Sequence, residues 1–213
     1  MQDIERFIAG FRAFQKNYFG PEGSQFDILK HGQNPSTMII GCSDSRVDPA
    51  ILTNCQPGDI FTVRNVANLV PPYEENGGYH GVSAALEFAV CRLGVERIIV
   101  LGHSQCGGIG ALMTGDCSAE GAGFIGRWMS IAALAREQVM MSLPGKDAAL
   151  QHRAAEQAAI LLSVENLRTF PFIDQRVAAG TLSLHGWYFD LTAGELLEYQ
   201  PESGVFIKVP GTK

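Results

Sequence analysis

"GYHGVSAALEFAVCRLGVERIIVLG", residues 78–102, reads as a helix that runs into a strand. Val82, Ala85, Leu86, Ala89, Val90 and Leu93 recur at the three- and four-residue spacing that lines one face of a helix. Gly94 follows as a stop, because glycine readily takes the left-handed conformation that closes a helix. "RIIVLG" (97–102) is then a short, unbroken, β-branched apolar run, the pattern of a strand buried on both faces. Two earlier runs share it, "STMIIG" (36–41) and "IFTVRN" (60–65), so residues 60–102 form a strand–helix–strand unit. The three runs are predicted to be parallel neighbours.

Working outward, residues 124–142 and the Ala-rich stretch 147–169 read as helices, the second closed by Pro171. "TLSLHGWYFD" and "GELLEYQP", separated by "TAG", predict a strand, a turn and an antiparallel edge strand. At the other end Ile4, Phe7, Ile8, Phe11, Phe14 and Tyr18 keep helical spacing, which predicts an amphipathic helix with an aromatic face that needs covering. The predicted class is α/β, with a central, mostly parallel sheet, an antiparallel C-terminal edge strand, flanking helices and an N-terminal helical arm over residues 1–20. No repeat or linker divides it, so residues 1–213 are predicted to be a single domain.

Composition narrows the function. With 213 residues and 46% apolar content, the chain can bury one substantial core. The net charge of -6 comes from scattered acids and there is no basic run, which argues against nucleic acid as a partner. "MQDIERFIAG" has neither the basic start nor the apolar core of a secretory signal, and no stretch is long enough to span a membrane, so a cytoplasmic location is expected. Five cysteines, an odd number widely spread, point to free thiols or a metal rather than a disulfide framework. Cys55, Cys91 and Cys117 have no chemistry assigned to them and are expected to be buried core thiols.

Ligands of open α/β sheets collect beyond the carboxyl ends of the strands, where "CSDSR" (42–46) and "GHSQCGG" (102–108) both fall. Cys42 thereby comes within reach of His103 and Cys106. Two thiolates and one imidazole suit zinc, and three protein ligands leave one tetrahedral position open, as in a catalytic site. Cys106 stands where a helix should begin, which favours its thiolate, and Gly107 and Gly108 allow close backbone approach. The glycines themselves match neither dinucleotide nor phosphate-loop spacing, because no Lys follows and Met113 stands where a third Gly would be required. Asp44 and Arg46 stand beside the first ligand, two residues apart, as a potential forked ion pair.

"CSDSR" followed some sixty residues later by "GHSQCGG" resembles the β-class carbonic anhydrases. "PGDIFTVRNVANLVPPY" (57–73) and "HGWYFD" (185–190) extend the likeness over most of residues 33–190. The resemblance implies a lyase that reversibly hydrates carbon dioxide to bicarbonate and a proton. It further implies one zinc per subunit on Cys42, His103 and Cys106, with zinc-bound hydroxide oriented by Asp44 and Asp44 held by Arg46. The plant-like subtype implies a substrate pocket that includes Gln33, Phe61 and Phe88, the last a departure from the expected Tyr; Gly107 is a further candidate. In this family the N-terminal arm packs across a partner subunit with the active site at the interface, so a homodimer or a dimer of dimers is expected. Ile39 and Phe189 stand where bicarbonate-regulated members carry Trp and Tyr, although Val47 and Arg64 of that pocket are present; the unregulated subtype is therefore implied. The residues alone leave two other readings open, a zinc hydrolase acting on carbonyl sulfide or carbon disulfide and a non-catalytic metal-binding protein.

Overall fold

The structure, a computed structural model, describes residues 2–19, 24–75, 78–116 and 123–211. Cys117 lies outside the described residues. The chain divides into two compact units, Met1–Asn34 and Pro35–Lys213, so the first unit extends beyond the arm read from the sequence.

In the first unit α1 (Gln2–Tyr18) has acids in its first turn and Lys16 in its last, which complements the helix dipole, and α2 (Gln25–Leu29) follows it. The aromatic face divides in two. Phe14, Tyr18, Phe19 and Phe26 cluster, with ring centroids 4.7 Å apart for Phe14–Tyr18 and for Phe19–Phe26, while Ile4, Phe7, Ile8 and Phe11 stay exposed.

The second unit opens with β1 (Thr37–Cys42), α3 (Pro49–Thr53) and β2 (Ile60–Asn65). Asp48 caps α3 by accepting from the N–H groups of Ala50 and Ile51, with Pro49 preset for the first turn. Then come α4 (Gly81–Glu87), which runs on as a π-helical stretch over Phe88–Leu93 and stops at left-handed Gly94, and β3 (Arg97–His103). Next come α5 (Gly107–Thr114), α6 (Gly123–Met129), α7 (Ala133–Ser142) and α8 (Ala148–Leu167). Pro171 does more than close the helix before it, since it occupies the first turn of α9 (Pro171–Ala178). The chain finishes with β4 (Ser183–Asp190), β5 (Glu195–Gln200) and β6 (Val205–Lys208).

The strand order is β2-β1-β3-β4-β5-β6, with the first four strands parallel and β5 and β6 antiparallel. The antiparallel edge strand is therefore β6, and β5, read as the edge from sequence, is interior. β1 and β3 are buried almost throughout. β2, expected to be buried on both faces, is half exposed because it is the other edge and has a neighbour on one side only. Two cysteines also depart from expectation: Cys55 is half-buried, and Cys91 is exposed, on the solvent side of the π-helical stretch rather than on its apolar stripe.

One face of the sheet, through Met38, Ile40, Ile98, Val100 and Tyr188, packs against Leu86, Val90, Ile160, Leu167 and Ile173 of the helices. The close approach of α8 needs glycine in the sheet. A methyl group added at Gly102 would stand 2.6 Å from Ile160 Cδ1 and 2.7 Å from its Cγ1, and one at Gly186 would stand 3.1 Å from Ile160 Cγ2. Gly102→Ala should therefore destabilise the fold by about 1–3 kcal/mol through overpacking. Urea unfolding should show a smaller cost in an Ile160→Ala background, where both Cδ1 and Cγ1 are gone; equal costs in both backgrounds would show that the clash is not the cause.

Candidate metal centre

β1 and β3 pair in parallel with Gly41 opposite Leu101, so Cys42 and His103 leave adjacent strands at the same end of the sheet. Cys106 returns to them through a tight turn and caps the start of α5. The turn is made possible by Gln105 at φ 58, left-handed although it is not glycine. Cys42, His103 and Cys106 each offer a ligand atom, and these atoms lie within 4.8 Å of one another. Their residues are 5%, 1% and 2% exposed.

The donor set fits a cation. His103 Nδ1 lies 2.8 Å from the Ser104 carbonyl, which can only accept, so Nδ1 bears the hydrogen and the Nε2 lone pair faces the thiols. That Nε2 is buried with no hydrogen-bond partner among the described residues, the orphaned atom expected of a metal ligand whose other nitrogen is anchored. Hydrogen bonding from the Cys106 thiol pulls Cys42 well below the usual thiol range against the opposing effect of burial, while that same bond and then burial push Cys106 up. Burial pushes the His103 imidazole down, but the negative charge of the Cys42 sulfur beside it and the bond to the Ser104 carbonyl outweigh this and raise it. Two sulfurs and one imidazole nitrogen, buried and convergent, match the preference of zinc.

Asp44 and Arg46 form the forked pair read from sequence. Arg46 Nε donates to Asp44 Oδ1 at 2.9 Å, Nη2 donates to Oδ2 at 2.7 Å, and the Arg46 backbone N–H adds a third bond at 3.0 Å. These bonds, led by the guanidinium, hold the Asp44 carboxyl far below the carboxylate range. Asp44 Oδ2 stands 3.9 Å from His103 Nε2, at the edge of the cluster. Arg46 Nη2 also donates to the Gln105 carbonyl at 3.1 Å and so ties the two ligand loops together.

Sequence reasoning undervalued Arg64. Two nitrogens of its guanidinium donate to the carbonyls of Cys42 and Asp44 in the "CSDSR" loop, and the third pairs at 2.9 Å with Asp48, the cap of α3. Its place one residue before the end of β2 was the available signal. Glu156 was missed altogether. It is buried on α8, and its carboxylate accepts from the Cys106 backbone N–H at 2.9 Å. An acid on the stripe shared with Ile160, Ser163 and Leu167 was the cue that an amphipathic reading passes over.

Of the remaining candidates, Phe61 and Phe88 are not gathered at the cluster. Gln33 belongs to the first unit and is exposed. Phe61 and Phe88 stack on each other, centroids 5.8 Å apart, but Phe61 pairs with Met38. That is four residues before Asn65, the partner of Cys42, and about 13 Å along the strand at roughly 3.3 Å per residue. Close approach also belongs to a different glycine. A side chain at Gly107 would meet nothing within 4 Å, whereas at Gly108 it would stand 2.8 Å from Val66 Cγ1 and 3.3 Å from Met129 Sδ.

A mostly parallel sheet with a Cys–His–Cys cluster at its carboxyl edge defines a class of metal-site α/β protein, and comparison with known proteins identifies the family. The sequence profile described as carbonic anhydrase matches residues 37–196. The chain is 38% identical over 199 residues to a carbonic anhydrase of Synechocystis sp., covering 92% of this chain and 71% of that protein. It is 42% identical over 180 residues to the chloroplastic β carbonic anhydrase 5 of Arabidopsis thaliana, covering 84% of this chain and 59% of that protein. Its fold is similar to the β-carbonic anhydrase CcaA, with TM-score 0.91 and 34% identity over 99% of this chain and 94% of that one. It is also similar to a structure from a study of two tetrameric β-carbonic anhydrases of Sordaria macrospora, with TM-score 0.73 and 30% identity over 92% of this chain and 93% of that one. The chain belongs to the β-class carbonic anhydrases.

Replacing Cys42, His103 or Cys106 with Ala should abolish stoichiometric zinc binding, as measured by elemental analysis of the purified protein. Retention of a full equivalent of zinc by any one of them would remove that residue from the ligand set.

Proposed function

We propose that this enzyme reversibly hydrates carbon dioxide to bicarbonate and a proton, with one zinc per chain held by Cys42, His103 and Cys106. The observation that carries this reading is the buried His103 Nε2, unpartnered among the described residues and facing two thiols. Zinc bound there by Cys42, His103 and Cys106 would supply Lewis-acid activation of water for the hydration. The chain's own residues prepare the site for it. Asp44, kept ionised by Arg46, is an acceptor at the edge of the cluster that orients a hydroxyl hydrogen. Because both of its oxygens are engaged by Arg46, Asp44 is also held back from serving as a ligand itself. Beside the end of β2 lies a largely apolar groove of about 810 Å³, lined by Val66, Pro71, Val82, Phe124 and Trp128 together with His80 and Arg127.

We further infer that the working form is a homodimer or a dimer of dimers. Two features support it: the exposed apolar face of α1, and Phe61 and Phe88, which can wall a site only if that site belongs to another copy, since they lie far down the sheet from their own chain's cluster. Phe88 is 44% exposed, unusually bare for a stacked core ring and consistent with such a role. The unregulated subtype is supported by Arg64, whose nitrogens are committed to Cys42, Asp44 and Asp48, and by Ile39, which is buried in the sheet and offers no donor.

Stopped-flow carbon dioxide hydration with parallel zinc analysis tests the reaction, and carbon disulfide turnover in the same preparation separates it from a related hydrolase. Asp44→Ala and Arg46→Ala should keep zinc and lose activity by about 10²-fold or more. Loss of zinc would instead make Asp44 a ligand, and unchanged rates would deny the pair its role. Inhibition by bicarbonate should be free of cooperativity; a sigmoidal dependence would contradict the unregulated assignment. Removal of residues 1–20 should yield monomers with little activity in sedimentation and rate measurements, and an active monomer would refute the shared site.

A further inference from the structure

We propose that Glu156 is a positioning residue for the metal centre, whose buried carboxylate sets the place of the Cys106 thiolate by anchoring that residue's backbone N–H. The proposal rests on the zinc reading above and adds a residue from α8 to it.

Glu156 is 4% exposed and its polar contacts are few and specific. Oε1 accepts from the Cys106 N–H at 2.9 Å and Oε2 accepts from the Tyr188 hydroxyl at 2.8 Å. His152, one turn earlier on α8, places Nε2 3.3 Å from Oε1 and 3.2 Å from the Cys106 carbonyl oxygen. The nearby guanidinium is committed elsewhere: Arg153 Nη1 pairs with Asp190 at 2.6 Å, and its charged end lies over the Tyr188 ring, 5.2 Å from the centroid. Glu156 is therefore a buried carboxylate without a guanidinium partner, held chiefly by two neutral donors, one of which is the backbone of a ligand.

For packing alone this is a poor choice of residue. Its position on α8 continues the stripe of Ile160, Ser163 and Leu167, where an apolar side chain would be buried without any charge to desolvate. What an apolar side chain could not do is satisfy the Cys106 N–H. That N–H follows directly on Gln105, whose φ of 58 is a conformation that residues other than glycine take only when their surroundings impose it. The imposition is visible from both sides of the turn. Arg46 holds the Gln105 carbonyl, and Glu156 holds the next N–H. Together they aim the Cys106 side chain at Cys42 and His103. Tyr188 in turn fixes the carboxylate: its hydroxyl donates to Oε2, and burial together with that bond pushes its phenol well above the usual range, so it stays a donor. The chain of support runs from β4 through Tyr188 and Glu156 to the ligand.

The test uses the full chain loaded with zinc, and with cobalt as a spectroscopic substitute, in the parent and in the Glu156→Ala, Glu156→Gln and Tyr188→Phe variants. Two quantities are read, the rate of zinc release to a chelator and the cobalt absorption bands, which report the thiolate geometry directly. Glu156→Ala should release zinc about 10- to 100-fold faster, as expected on loss of a group that supports a ligand, with displaced cobalt bands. Glu156→Gln, which keeps an acceptor oxygen for the Cys106 N–H, should restore most of both readouts. Tyr188→Phe keeps the ring in the core while freeing Oε2, and should fall between the parent and Glu156→Ala; it decides the question if Glu156→Ala does not fold. The proposal is overturned if Glu156→Ala or Tyr188→Phe loses thermal stability yet keeps the parent release rate and cobalt spectrum, because the carboxylate then serves only the fold. A parent protein that takes up neither metal would instead bring down the zinc reading itself.

Discussion

The parallel pairing of β1 with β3 is the constraint on which the site depends. With Gly41 opposite Leu101, the two strands end together, their last residues being Cys42 on one and His103 on the other. Neighbouring strands lie about 4.8 Å apart, so the register brings the two ligand-bearing strand ends side by side. A slip of one residue in either strand would carry one ligand about 3.3 Å along the sheet away from the other. Gly102 and Gly186 let α8 lie close against this part of the sheet, and α8 brings Glu156 to the third ligand. The helix layer and the cluster thus share one geometric requirement.

Around that register the structure places charge with care. Two thiols and an imidazole are buried together with their ligand atoms convergent, an arrangement that a divalent cation would compensate. Arginines hold the loops on the solvent side. Arg64 gathers the backbone of the "CSDSR" loop, and Arg46 joins Asp44 to the carbonyl of Gln105 on the other loop. These guanidiniums bridge main-chain carbonyls as well as carboxylates, so their role is to fix loop shape in addition to balancing charge. Exposed ion pairs elsewhere on the surface, such as Arg168 with Asp174, have no such structural duty.

Much of this was legible in advance because it depends on local pattern. The apolar runs at 36–41, 60–65 and 97–102 became β1, β2 and β3, and Gly94 closed its helix in the left-handed conformation. Cys42, His103 and Cys106 could be grouped because parallel α/β topology sends all carboxyl strand ends to one edge. β6 escaped notice because "VFIK" is short and is stabilised by pairing with β5 and by Phe206 packing against Tyr188, contacts that local sequence does not encode. The exposure of Cys91 and the half-buried state of β2 were misjudged for a related reason: which side of an element meets a neighbour depends on where that neighbour lies, and composition cannot supply it.

By itself the amino-acid sequence determined the α/β class, the strand and helix periodicities, the ligand types and the Asp44–Arg46 fork, all of which rest on spacings within a few residues or on a general rule of topology. Only the tertiary structure decided that Arg64 holds the first loop, that Gly108 and not Gly107 is the point of close contact, and that Glu156 reaches Cys106 across fifty residues of chain. It also decided that Phe61 and Phe88 stack far down the sheet from the cluster of their own chain. These are distances between segments remote in sequence. They are set by how helices settle on a twisted sheet, and no local pattern of residues contains that information.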